Sequence, residues 1–262
     1  MERSNAPCWI LWLLMALTAT IAHAEAAPAA CAGFELRSGD HALVVRAQTA
    51  DEAYGYLVRT LGDMEFFRAN GYDVALPDHP AFAPDAPSIG SAEVFAAEVY
   101  DATIFERAIA VLTADREILS AALEWFATKT VGVEGFRAFD RYEVTLTLYG
   151  PGGSYDPDTG GIVLFTTPDG RFKGGGGTYT IVHEMMHLAV EEGLVQRFGL
   201  GHWETERLVD LLVQREFSDT LIDYRLQSQG DAALDAVVAD TPLVGMAQAL
   251  EHFVSARGHD EE

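Results

Sequence analysis

Disulfides can contribute little to this chain. It has two cysteines in 262 residues, Cys8 and Cys31. Cys8 falls in an N-terminal leader, so the remainder carries one and must draw its stability from an apolar core. Lysine is as scarce, with Lys129 and Lys173 the only two. Against 40 acidic residues stand 17 basic ones, a net charge of -23. Such a surface repels nucleic-acid phosphates and anionic lipid heads, which excludes functions built on either and reads as a solubility feature. Long apolar runs are missing too. The longest, Trp9 to Ile21, spans 13 residues, short of the ~20 that cross a bilayer.

That run has a specific shape. Arg3 precedes it, and Ala22 and Ala24 flank His23 where a signal peptidase reads small residues. Residues 1–24 are therefore expected to be a secretory signal peptide, and the protein to be secreted or periplasmic without a stable membrane span. The Ala-rich stretch 25–33 is expected to be disordered, and 34–262 to form one domain. Hydrophobic content of 49% suits one globular core.

Periodicity suggests the elements. A strand is predicted at Ala42–Arg46, a helix over Asp51–Asn70, and a Pro- and Asp-rich loop over Gly71–Gly90. Ala92–Thr130 reads as two helices meeting near Thr113-Ala-Asp. Tyr142–Tyr149 alternates as a strand, Gly150–Gly161 reads as turns, and Ile162–Thr167 as an apolar strand. Asp156-Pro-Asp-Thr-Gly looks slightly like a calcium loop, but Thr167 stands where an EF-hand needs its bidentate Glu, so a plain turn is expected. The Gly174–Gly177 loop then leads into a helix.

That helix carries the chemistry. Residues 183–187 read His-Glu-Met-Met-His. Positions i and i+4 share a helical face, so His183 and His187 can offer two imidazole nitrogens to one metal ion, with Glu184 beside them to deprotonate water. No Gly or Pro interrupts 178–192, Thr178 or Thr180 can cap the start, and apolar residues surround the histidines, which predicts burial. A catalytic zinc site needs a third protein ligand. Glu206 follows His187 with 18 residues between, and Glu204, His202 and Glu191 are its rivals for that place. Glu204 would point to the far side of its helix, His202 leaves a shorter gap, and Glu191 lies on the motif helix itself. The metzincin pattern fails, because Val190 and Gly193 stand where it wants Gly and His.

Across His183 to Asp210 the sequence resembles the gluzincin metallopeptidases, the clan of thermolysin and the zinc aminopeptidases. The resemblance implies an α+β, zincin-like fold: a small mixed sheet with an edge strand along the cleft, an active-site helix and a C-terminal helical annexe. It implies Zn2+ held by His183, His187 and Glu206, and Asp210, four residues after Glu206, orienting the first histidine. Thr205 stands where many relatives have Asn. No Gly-x-Met-Glu-Asn segment is present, so the aminopeptidase branch is not implied. Ile162–Thr167 is the expected cleft strand, with substrate backbone pairing against it.

The expected activity is hydrolysis of a peptide or protein substrate. Zinc would lower the pKa of bound water toward ~7, with Glu184 as general base. Tyr224, His202 and His252 are candidate oxyanion or proton donors. Tyr224 can approach only if the chain turns near Ser218-Asp219, and His252 sits in the amphipathic segment Leu243–Ala256. Two other readings stay open: an inactive zinc-binding protein of the same fold, and a periplasmic binding module with a chance HExxH. Glu184, which zinc binding does not require, argues against the first.

Overall fold

The computed structural model describes residues 33–172, 176–228, 230 and 232–259, with side chains to 256. The expected signal peptide, nearly all of the Ala-rich stretch and the first half of the Gly174–Gly177 loop lie outside the described residues.

The fold is α+β. Among the described residues five strands form one open mixed sheet: β1 (Phe34–Ser38), β2 (His41–Ala47), β3 (Arg141–Thr147), β4 (Gly153–Asp156) and β5 (Gly161–Phe165), in the order β1-β2-β3-β5-β4. β2, β3 and β5 run parallel, and β1 and β4 close the two edges antiparallel. A two-residue turn joins β1 to β2, with Gly39 at φ 56°, a conformation that costs a residue with Cβ but not glycine. The parallel step from β2 to β3 needs a long crossover. It is supplied by α1 (Ala50–Gly62), α2 (Met64–Ala69), α3 (Ala92–Glu98), α4 (Glu106–Ala114) and α5 (Arg116–Lys129).

Alternation decides which sheet face is buried. Tyr142, Val144 and Leu146 of β3 and Ile162 and Leu164 of β5 point into the main core with Leu43 and Val45 of β2. α5 lies on β1 and β2, and α6 (Gly177–Val190) on β4, β5 and α5. On the other face Arg46 donates to Glu143 and Glu52, the wetter pattern of a one-sided sheet. A second small core gathers Ala53, Leu57, Phe82, Phe95 and Tyr149. A π-helical stretch (Glu191–Gln196) links α6 to α7 (His202–Glu216), and α8 (Leu234–Asp240) and α9 (Met246–His259) follow.

Several sequence expectations are corrected. The helix over 51–70 breaks at Asp63, and the stretch 92–130 holds three helices; it does break at Asp115 as expected, and breaks once more after Glu98. Neither Thr178 nor Thr180 caps α6. Gly176 is the cap, while Thr178 donates to Asp115 Oδ2 at 2.6 Å. The edge strand is not Ile162–Thr167, which lies between β3 and β4. It is β4, inside the stretch read as turns. Four residues with one apolar side chain show no alternation, and their pairing is fixed by β5. The segment 156–160 is the β4–β5 turn, with Asp156 accepting from the Asp158 amide and the Thr159 hydroxyl.

Candidate metal centre

α6 is buried on nearly every side, as its apolar composition requires. It packs against α7, and their facing residues converge. His183 Nε2 and His187 Nε2 stand 3.0 Å apart. Glu206 Oε2 lies 3.4 Å from the first and Oε1 3.5 Å from the second. Donors about 2.0–2.2 Å from a tetrahedral zinc stand roughly 3.3 Å from each other, so the spacing fits one ion. Two imidazole nitrogens and a carboxylate are also a donor set that zinc accepts. Among the described residues no other group of three His, Cys, Asp or Glu side chains is so arranged. This is a candidate metal centre.

The carboxylates around it are tuned differently. Burial raises Glu206, but hydrogen bonds to His183 and His187 outweigh it and hold the group well below the usual carboxylate range. Glu184 is buried, and burial pushes its carboxyl up, against the pull of His187 and His183. Glu184 reaches toward β4: a Cβ on Gly153 would stand 2.2 Å from its Oε1. Burial lowers His183, but hydrogen bonds to Asp210 and Glu206, with the charges of Glu184 and Glu206, carry its pKa up to about 10.

Behind the histidines lies a second layer. Asp210, one turn after Glu206 on α7, is buried. Its Oδ1 lies 3.2 Å from His183 Nδ1 and accepts the Tyr224 hydroxyl at 2.6 Å. Because that proton goes to Asp210, the Tyr224 oxygen accepts from His183 Nδ1–H, at 2.7 Å. Tyr224 reaches this position because α7 ends at Glu216 and the chain turns back. Its hydroxyl is thus engaged at Nδ1, across the ring from the Nε2 that joins the donor cluster. Tyr155 of β4 stacks on His187, centroids 4.8 Å apart and planes 14° apart, and donates to Glu191. His187 Nδ1 is buried without a hydrogen-bond partner among the described residues.

The remaining candidates divide. His202 Nδ1 is 4.0 Å from Glu206 Oε1, and its Nε2 shares a 2.8 Å hydrogen bond with the Tyr72 hydroxyl. Glu204 turns away to accept the Gly201 amide at 2.8 Å. Glu191 is held by Tyr155 and Gln196. His252 is exposed on α9, which packs on α8 and the π-helical stretch. Sequence reading missed Tyr72, Tyr155, Gly153 and Gln227, none of which carries a spacing relative to the motif. Burial, then the charges of Glu206 and Glu184, raise the Tyr72 hydroxyl. A groove lined by Asp78, His79, Glu98, Tyr149 and Thr167, among others, includes none of the metal donors.

No family model, characterised protein or solved structure matches the chain.

Proposed function

We propose that this chain is a zinc-dependent metallopeptidase of the gluzincin type, and that it works outside the cytoplasm, which the expectation of a secretory leader at residues 1–24 supports. The observation that carries the reading is the convergence of His183, His187 and Glu206 with a buried Glu184 beside them, against the edge strand β4. Metal storage or a structural role would need the three donors alone. A buried carboxylate with a raised pKa next to them is what proton transfer needs.

Zinc held by these residues would supply Lewis acidity, making water acidic enough to lose a proton near neutral pH. The chain supplies the rest. An extended peptide adds to the edge that β4 presents among the described residues, where backbone pairing sets its register across Glu184. Glu184 accepts the water proton as the oxygen bonds to the carbonyl carbon, then returns it to the leaving nitrogen as the C–N bond breaks. Asp210 and Tyr224 hold His183 in the tautomer with Nδ1 protonated and Nε2 free to bind metal. Tyr224, engaged there, serves as a positioning group.

The test uses the mature chain loaded with zinc and a broad peptide library. Glu184→Gln keeps the shape but cannot accept a proton, so hydrolysis should fall ~10²–10⁴-fold with zinc retained. Undiminished cleavage by this variant removes Glu184 from the mechanism. Zinc bound by wild type with no cleavage of any library member favours the inactive zinc-binding reading.

A further inference from the structure

The segment that brings Tyr224 to the cluster does more than carry that hydroxyl. Gln227, three residues on, donates from its side-chain amide to Glu206 Oε2 at 2.6 Å, and from its backbone N–H to Asp210 Oδ2 at 2.6 Å. Residues 224–227 therefore touch three members of the site, His183, Glu206 and Asp210, which belong to two different helices. The segment is tied at both ends. Leu221, buried, donates its amide to Phe217 O at 2.7 Å. Gly230, at φ 118°, comes so close to α7 that a Cβ there would stand 2.8 Å from Arg207 Cβ. Arg207 in turn grips Asp235 with two hydrogen bonds, of 2.8 Å and 2.6 Å. Tyr224 also stacks on Tyr179 of α6, planes 10° apart.

We propose that residues 224–227 are a strap that positions the third metal donor, Gln227 holding Oε2 of Glu206 so that Oε1 is the oxygen presented to the metal. The inference rests on the metal-centre reading and deepens it. The two oxygens of Glu206 stand at nearly equal distances, 3.4 Å and 3.5 Å, from the two motif histidines. A hydrogen bond on one of them removes the symmetry. The chemistry of the residue suits the place. Glu184, Glu206 and Asp210 already bring three carboxylates together, and an amide adds a donor without adding charge. A hydrogen bond to a carboxylate is among the stronger kinds. Gln227 itself is exposed, so replacing it opens no core and leaves folding intact.

Linkage makes the strap testable without an assay of hydrolysis. If the docked strap favours zinc, zinc favours the docked strap by the same factor. The probe is zinc alone, titrated into metal-free protein against a chelating dye. Gln227→Met keeps length and packing but donates nothing, and should weaken zinc about tenfold or more, the low end for partners behind a ligand. Gln227→Glu sets a fourth carboxylate against Glu206 and should weaken it further. In wild type, zinc should slow hydrogen exchange at the Gln227 amide, and should slow it less in Gln227→Met. Zinc affinity and exchange unchanged in Gln227→Met overturn the strap and leave the metal centre standing. A wild-type chain that binds no zinc overturns both.

Discussion

Gly153→Ala separates the position of Glu184 from its chemistry. Gly153 is not among the glycines with positive φ, so alanine meets no backbone strain. The added Cβ would lie 2.2 Å from Glu184 Oε1, 3.0 Å from its Cδ and 2.8 Å from Thr180 Cγ2. Ordinary contact begins near 3.4 Å, so the carboxylate must retreat by about 1 Å, a displacement that can cost a catalytic step ~10²-fold. The fold should tolerate it, because a side-chain end can swing at an off-rotamer cost of about 0.5–1.5 kcal/mol. Gly152→Ala is the matched control, since nothing lies within 4 Å of a Cβ there. The assay measures zinc content, melting temperature, kcat and KM for both variants on one cleaved peptide. Gly153→Ala should bind zinc and fold like wild type with kcat down ~10²-fold, and Gly152→Ala should change neither. Wild-type kcat in zinc-loaded Gly153→Ala would falsify the placement of Glu184 against β4.

Other outcomes follow from the same geometry. Glu206→Ala should lose zinc, whereas Glu204→Ala should keep it and lose only a helix cap, about 1 kcal/mol in denaturant unfolding; the reverse pattern in metal analysis would show the wrong carboxylate was chosen. Asp210→Ala strips an acceptor from Tyr224 and from the Gln227 amide, and should weaken zinc ~10–100-fold in titration, while equal affinity would leave Asp210 without a part in the site. In the metal-free chain His183 is raised from 6.5 to about 10. Its contribution to stability is therefore complete below about 6.5 and lost as pH rises through about 10. Zinc must also displace that proton, so binding at neutral pH should release it, and calorimetry in buffers of different ionisation enthalpy will read the release. Equal heats would show that His183 is already neutral.

The candidate metal donors were legible because their signals are local. His183 and His187 are set by one turn of helix, and Glu206 and Asp210 by another. Helix periodicity turns such spacings into faces with no knowledge of the rest of the fold. Glu204 was separable from Glu206 on the same ground, and it does turn to the Gly201 amide. The edge strand was not legible. Ile162–Thr167 carries the apolar signal because it is buried between two strands, while β4, with Gly153, Ser154, Tyr155 and Asp156, carries almost none. A strand bordered on one side takes its identity from its neighbour. Gln227 and Tyr72 lie 21 residues after and 130 residues before the side chains they bond, Glu206 and His202. Nothing in their immediate sequence marks them, and only the turn after α7 and the crossover before β3 bring them in. Tyr224 was reachable as a candidate through the predicted turn, but its partners were not.

The place of β4 at the sheet's edge among the described residues also bears on how copies of this protein treat one another. An edge ready to receive a foreign strand is, by the same hydrogen-bonding groups, ready to receive its own twin, and two such edges closed antiparallel would bury both clefts. Two features oppose that self-blockade. At four residues β4 is too short to hold a partner sheet by backbone alone. Each copy also carries a net charge of -23, so two such edges approach against mutual repulsion, whereas a neutral or basic peptide does not. On the metallopeptidase proposal, the same acidity would disfavour acidic peptides, and salt, by screening it, should loosen that preference.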